Sequence, residues 1–256
     1  MPHHTEPQHH DAPVALITGA GKRVGAATAR HLHRAGWRVL LHCRLSRETA
    51  ETLAGELNGT RADSARVLPA DLNDPDAIAP LVDSALAAWG RVDALVNNAS
   101  TFYPTAIGAT TGAQWDDLFA SNARAPFFLS QALAPALAAS GRGSIVNVID
   151  IHADYPLAGH AVYCMAKAAL AAMTRALAKE LAPAVRVNGV SPGAILWPEG
   201  EGEMDAALQA QILASVPLGR IGGVDAVAEA IGFLITGTDY VSGQIIAVDG
   251  GRSVWG

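Results

Sequence analysis

The sequence is short of charge, of aromatic rings and of cysteine. Only 16% of its 256 residues are charged and 5% are aromatic, while half are hydrophobic. With so little charge available, most structural elements must be covered on both sides. A chain of this length fits one α/β layer structure and can bury roughly 70–75% of the surface that its unfolded form exposes. Cys43 and Cys164 are too few for a disulfide framework and lack metal-ligand spacing, so ordinary packing accounts for them and no metal site is expected. Basic residues never cluster beyond a few positions and the formal net charge is −6, which argues against nucleic acid or an anionic membrane as the main partner. No apolar run reaches the roughly 18 residues of a membrane span. The opening MPHHTEPQHHDAP is polar and histidine-rich, without the apolar stretch of a signal peptide, which makes the cytoplasm the simplest compartment. Residues 1–12 read as a disordered tail and 13–256 as the folded domain.

What is present is a repeated alternation. Short β-branched apolar runs occur at 14–18, 38–43, 65–70, 94–99, 144–149, 185–190 and 244–250. They are nearly continuous rather than alternating, which marks strands buried on both faces. Ala- and Leu-rich stretches of helical length separate them, at 24–35, 46–57, 75–89, 114–139, 160–182 and 225–236. Strand–helix alternation predicts a doubly wound parallel sheet of the Rossmann type, flanked by helices. Ligands bind such sheets outside the carboxyl ends of the strands, where the strand order reverses. The motifs below all fall at strand ends.

The first is LITGAGKRVG, residues 16–25, a strand, a glycine turn and a helix start. Gly19 permits the tight turn, Gly25 allows close helix–sheet packing, and Arg23 and Val24 open the helix. Free N–H groups and the positive dipole end at that point suit a pyrophosphate. An ordinary strand-to-helix turn is the plain alternative. The second strand ends in LLHCRLSRE, with no acid before Glu48 to take the ribose hydroxyls of NAD. His42, Arg44 and Ser46 instead offer donors and positive charge for the extra phosphate of NADP. A solvated basic loop is the alternative here. Asp71 and Leu72 close the third strand in ADL, where adenine would lie, and NNAS at 97–100 closes the fourth.

The stretch IDIHADYPLAGHAVYCMAK carries the chemistry. Tyr163 and Lys167 are four apart, so a helix puts them on one face. An ammonium nearby would lower the pKa of the phenol, and a tyrosine tuned this way can deliver a proton while a nicotinamide delivers hydride. Asp150 ends the preceding strand. A role confined to capping a turn is its plainer reading.

Together TGAGKRVG, NNAS, Asn122 in SNARAP, YCMAK and VNGVSPG resemble the short-chain dehydrogenase/reductase family, in order and at family spacing, over residues 14 to 252. The resemblance implies a single Rossmann-like domain of seven strands, a homotetramer, and a catalytic set of Asn, Ser, Tyr and Lys. Asn122, Tyr163 and Lys167 fill three of those places and Asp150 stands in the fourth. It also places Asn98, Ala99 and Ser100, and Pro192 and Gly193, along the cofactor, with Tyr163 and Lys167 reaching it too.

Asp150 is a departure with consequences. Negative charge develops on the oxygen of a reduced ketone, and an ionised carboxylate there would oppose it. A C=N bond instead needs a proton on nitrogen as hydride reaches carbon. Arg23 where the family keeps glycine, and Phe102 just past the fourth strand, complete a pattern with Ser100, Asp150, Tyr163 and Lys167 that resembles the pteridine reductase branch. By that resemblance NADPH is the cofactor, a pterin or folate is the substrate, and the substrate lies against Arg23, Ser100, Phe102, Asp150, Tyr163 and, from the lid segment 193–216, Trp197. The alternatives are an NADP-dependent carbonyl or 3-oxoacyl reductase and a dinucleotide-sensing protein without turnover.

Overall fold

Branched apolar runs bounded by glycine and polar turns become strands. In the computed structural model, whose described residues are 12–197 and 205–254, these are β1 (Val14–Ile17), β2 (Arg38–Cys43), β3 (Ala65–Pro69), β4 (Ala94–Asn97), β5 (Gly143–Val148), β6 (Val185–Pro192) and β7 (Ile245–Val248). Between them run α1 (Arg23–Arg34), α2 (Arg47–Thr60), α3 (Ile78–Trp89), α4 (Gly112–Phe119), α5 (Ala125–Ala139), α6 (Ala161–Glu180), α7 (Ala206–Ala214) and α8 (Val224–Gly232). The strands are all parallel, in the order β3-β2-β1-β4-β5-β6-β7. This is the seven-stranded doubly wound sheet that the alternation predicts. Its order reverses between β1 and β4, opening a crevice at their carboxyl ends.

β1, β2, β4 and β5 are buried along their whole length, which is why their sequences run apolar without alternation. Side chains of one parity, such as Ile17, Val39, Leu41 and Val96, pack with Leu32 of α1 and Val227 and Ile231 of α8. The other parity, Leu16, Leu40, Leu95 and Ile145, packs with Leu81 of α3 and Leu129, Leu133 and Leu137 of α5.

Two expected helices are not continuous. The stretch 114–139 divides into α4, a π-helical turn at Ala120–Arg124, and α5. Thr111 and Gln114 form a capping box that starts α4 two residues early. Pro126 has no N–H to give to the carbonyl of Asn122, and the wider turn absorbs that gap. At the chain's other end, 225–236 becomes α8 followed by a second π-helical turn, Phe233–Gly237. Among the described residues α6 alone has the length and hydropathy to cross a bilayer, yet half of its apolar window is buried inside the fold. In the expected lid, α7 starts at the side chain of Asp205, which accepts from Leu208 N–H at 2.7 Å. The lid's residues 198–204, and the tail apart from Ala12, lie outside the described residues.

Candidate active site

The crevice is built from backbone first. Gly19 takes φ +63°, a left-handed value that glycine adopts without strain. A Cβ on Gly25 would stand 2.3 Å from the carbonyl oxygen of Gly19 and 2.7 Å from the side-chain nitrogen of Asn98, so only glycine lets α1 approach this closely. Asn98 Nδ2 donates to the carbonyls of Thr18 (2.8 Å) and Gly19 (3.1 Å), while Thr18 Oγ accepts from the N–H groups of Asn98 and Ala99. The end of β4 is thereby locked to the turn after β1. Arg23, at φ +50°, occupies a left-handed position that a side chain enters only at a cost of about 1 kcal/mol, and its side chain is exposed at the mouth of the crevice beside half-buried Val24.

A cleft of about 230 Å³ continues from this turn, lined by Gly19, Arg44, Ser46, Asp71, Leu72, Ala99 and Ser100. Arg44 makes a 3.6 Å ion pair with Asp71, with both side chains about half exposed. Leu72 is buried, whereas Ser46 lies against Gly21. His42 departs from expectation. It is 1% exposed, its Nδ1 accepts from Gly19 N–H at 3.1 Å, and its Nε2 lies 3.1 Å from the carbonyl of Ala70. The acceptor at Nδ1 and the carbonyl at Nε2 require the neutral tautomer protonated on Nε2. Burial pushes its pKa down to about 4. His42 therefore holds the turn and supplies no positive charge to a phosphate. At the other side of the crevice, Pro192 ends β6, and Gly193 packs so tightly on Asp249 that a Cβ would stand 2.6 Å away.

Asp150 leaves β5 and meets Tyr163, on the first turn of α6. The Tyr163 hydroxyl donates to Asp150 Oδ2 at 2.8 Å, while Asp150 Oδ1 accepts from His152 N–H at 2.9 Å. One oxygen of this side chain thus caps the turn while the other accepts from the Tyr163 hydroxyl. Burial and the facing carboxylate drive the Tyr163 pKa well above the usual phenol value, against a smaller pull from Ser100. The expected lowering by Lys167 is overridden, because the ammonium stands 5.8 Å from the ring centre and donates instead to the carbonyl of Val148 at 2.9 Å. Lys167 is 2% exposed. Burial brings its pKa down to about 8, with Asp150 pulling the other way. The π turn aims Asn122 back at this cluster. Its Nδ2 donates to the carbonyls of Thr101 and Leu118, both at 2.9 Å, and its Oδ1 accepts from Ser100 at 2.7 Å.

Phe102 is 53% exposed and stands edge-on to Tyr163, with ring centres 4.7 Å apart. An open ring beside the Tyr163 hydroxyl is suited to stacking on a flat ligand. Trp197 is half-buried and is the last residue described before the lid's undescribed residues 198–204. His160 was not anticipated. It stacks on Phe102 at 4.7 Å and 10°. Its position three residues before Tyr163 on the same helix was the available signal. A roomier cavity of about 700 Å³, lined by Trp37, Arg142, Arg186 and Asp239 among others, lies at the opposite, amino ends of the strands, away from all of these groups.

The sequence has counterparts in known proteins. A family model described as enoyl-(acyl carrier protein) reductase matches residues 19–253. Pteridine reductase 1 of Leishmania tarentolae is 40% identical over 95% of this chain and 97% of its own length. The 3-oxoacyl-(acyl-carrier-protein) reductase of Thermotoga maritima is 35% identical over 94% and 98%, and L-xylulose reductase of Bos taurus 35% over 93% and 95%. Relatives that span both chains from end to end, on top of a strand-order reversal, glycine turn and Tyr–Lys helix face in family order, leave one conclusion: the chain belongs to the short-chain dehydrogenase/reductase family, as an oxidoreductase of nicotinamide-dinucleotide type.

Proposed function

We propose that this protein uses NADPH to reduce oxidised pterins, such as dihydrobiopterin, dihydrofolate or a close relative, to their tetrahydro forms. The observation that carries the reading is the 2.8 Å contact between the Tyr163 hydroxyl and a carboxylate oxygen of Asp150. A developing alkoxide would meet that carboxylate as a like charge, at a cost of several kcal/mol at ~3–4 Å even when screened. A ring nitrogen that gains a proton meets it as an ally. The exposed face of Phe102 beside Tyr163 supports a flat heterocycle, and the similarity to a pteridine reductase agrees with both.

The crevice fits the cofactor. Close backbone approach at Gly19 and Gly25 leaves room for a pyrophosphate at the start of α1, with Arg23 beside it. Arg44 and Ser46 would take the ribose phosphate, Asp71 and Leu72 the adenine, and Asn98, Ala99, Ser100, Pro192 and Gly193 the rest of the dinucleotide. NADPH supplies the hydride. The chain's own residues handle orientation and protons. Phe102, Ser100 and Arg23 hold the ring, with Trp197 closing over it from the lid. The Tyr163–Asp150 pair holds one shared proton at the substrate's edge and passes it to a ring nitrogen, directly or through a water held by Asp150. Lys167 supplies positive charge behind the pair, and Asn122 fixes Ser100. A homotetramer is the assembly that the family resemblance implies.

Reduction of 3-oxoacyl thioesters is the competing reading, favoured by the 3-oxoacyl-(acyl-carrier-protein) reductase relatives. The decisive experiment follows NADPH absorbance with dihydrobiopterin, dihydrofolate and acetoacetyl thioester in parallel. Turnover of a dihydropterin with little or no thioester reduction is expected. The reverse pattern would overturn the pterin assignment.

A further inference from the structure

Phe102 has two ring neighbours, and both sit on the first turn of α6 or at its cap. Tyr163 meets its ring edge-on at 82°. His160, the N-cap residue of α6, lies parallel to it at 10° with centroids 4.7 Å apart. The backbone reinforces the pairing. Thr105 and His160 form an isolated parallel bridge, and Thr105 N–H donates to Gly159 O at 2.6 Å. The loop after β4, which carries Phe102, is therefore stitched to the helix that carries Tyr163. The imidazole is itself oriented, because its Nδ1 lies 3.0 Å from the carbonyl of Ala158 and donates to it. Its Nε2 forms no hydrogen bond among the described residues.

A flat ring against one face of Phe102 holds that side chain in plane, so the other face is ready for a ligand and little rotational freedom is lost on binding. We propose that His160 is a positioning residue: its ring holds the plane of Phe102, so that the opposite face of Phe102 is presented to the substrate. The proposal rests on the pterin reading above.

The test uses the full-length enzyme with NADPH and two dihydropterins, one bearing a dihydroxypropyl chain and one bearing methyl at the same carbon. His160→Ala should raise KM for both by about three- to tenfold, the range of an aromatic pair, with kcat and NADPH affinity little changed. His160→Phe keeps a ring and loses the nitrogen. It should restore KM for both substrates, because the ring that holds Phe102 is back in place. Unchanged KM values in His160→Ala, or no rescue of KM by His160→Phe, overturn the positioning role. A fall in kcat at constant KM would instead place His160 in the chemistry and also overturn the proposal. Acetoacetyl thioester is run with the parent enzyme alongside. If only the thioester is turned over, the pterin reading fails by itself, separately from any effect at His160. Melting temperatures close to the parent's confirm that both variants fold.

Discussion

Asp150 is one residue with two partners, and the partners can be separated by substitution. Serine caps turns almost as well as aspartate, so Asp150→Ser keeps the bond to His152 N–H while removing the charge facing Tyr163. Turnover of a dihydropterin should fall by about 10²–10⁴-fold, the usual contribution of a general acid, with NADPH affinity nearly intact. The pH profile adds a sharper expectation. Lys167 has a pKa near 8, and Asp150 is what raises it against burial. In the parent, kcat should therefore hold below about pH 8 and fall above it as the coupled Tyr–Asp–Lys group loses a proton. In Asp150→Ser that break should move to lower pH. A variant with parental turnover and an unmoved break would make Asp150 structural. Arg44 gives a second residue-scale test. Its half-exposed pair with Asp71 contributes little, so the guanidinium is free to turn to a phosphate. Arg44→Ala should raise KM for NADPH and hardly alter KM for NADH, and equal use of both cofactors by the parent would contradict the NADPH assignment. Residue identities were readable from strand-end motifs, because spacing along a strand or helix is local. The state of Tyr163 was not, because it depends on a 13-residue separation closing to 2.8 Å and on Lys167 turning to a main-chain carbonyl.

At the scale of elements, the apolar runs located every strand and most helices, but burial on both faces holds only for the inner strands: the edge strands β3 and β7 are partly exposed, contrary to the expectation from their runs. The runs did not show the π turn at Ala120–Arg124, which leaves the apolar pattern almost unbroken while shifting Asn122 toward Thr101 and Ser100. The same applies to the second π turn, whose terminal carbonyls at Leu234 and Ile235 are satisfied from a distance by the guanidinium of Arg186. The β1–α1 junction was legible because it depends on glycines. Gly25→Ala puts a methyl carbon 2.3 Å from the carbonyl of Gly19. Helix α1 must then move off the sheet, and overpacking of this kind costs roughly 1–3 kcal/mol. The expected result is a lowered melting temperature together with loss of measurable NADPH binding by titration. Normal cofactor affinity in Gly25→Ala would show that the close approach has no part in holding the dinucleotide.

For the whole molecule, the crevice is held together by a neutral imidazole that joins three strands. His42 lies in β2, accepts from the turn that follows β1 and donates to Ala70 after β3. Sequence placed it among candidate phosphate ligands because its neighbours are basic, and only the parallel register of β1, β2 and β3 puts its nitrogens opposite two main-chain groups. In the unfolded chain its pKa returns to about 6.5, against about 4 when folded. Between those values the unfolded state binds more protons, so stability is fully present above about pH 6.5 and is lost as pH falls toward 4, by roughly 3 kcal/mol in all. Buried His33, whose pKa burial also lowers, acts in the same direction. Comparison with a variant separates the two. In His42→Asn the amide oxygen can accept from Gly19 N–H and nothing titrates, so the variant should be less stable than the parent at pH 7 yet lose less of its melting temperature between pH 7 and 4.5. Cofactor binding should follow the same course, because protonating Nδ1 removes the acceptor that holds the Gly19 turn. Melting curves that shift in parallel for parent and variant across that range would mean that His42 is not the group through which acid loosens the fold.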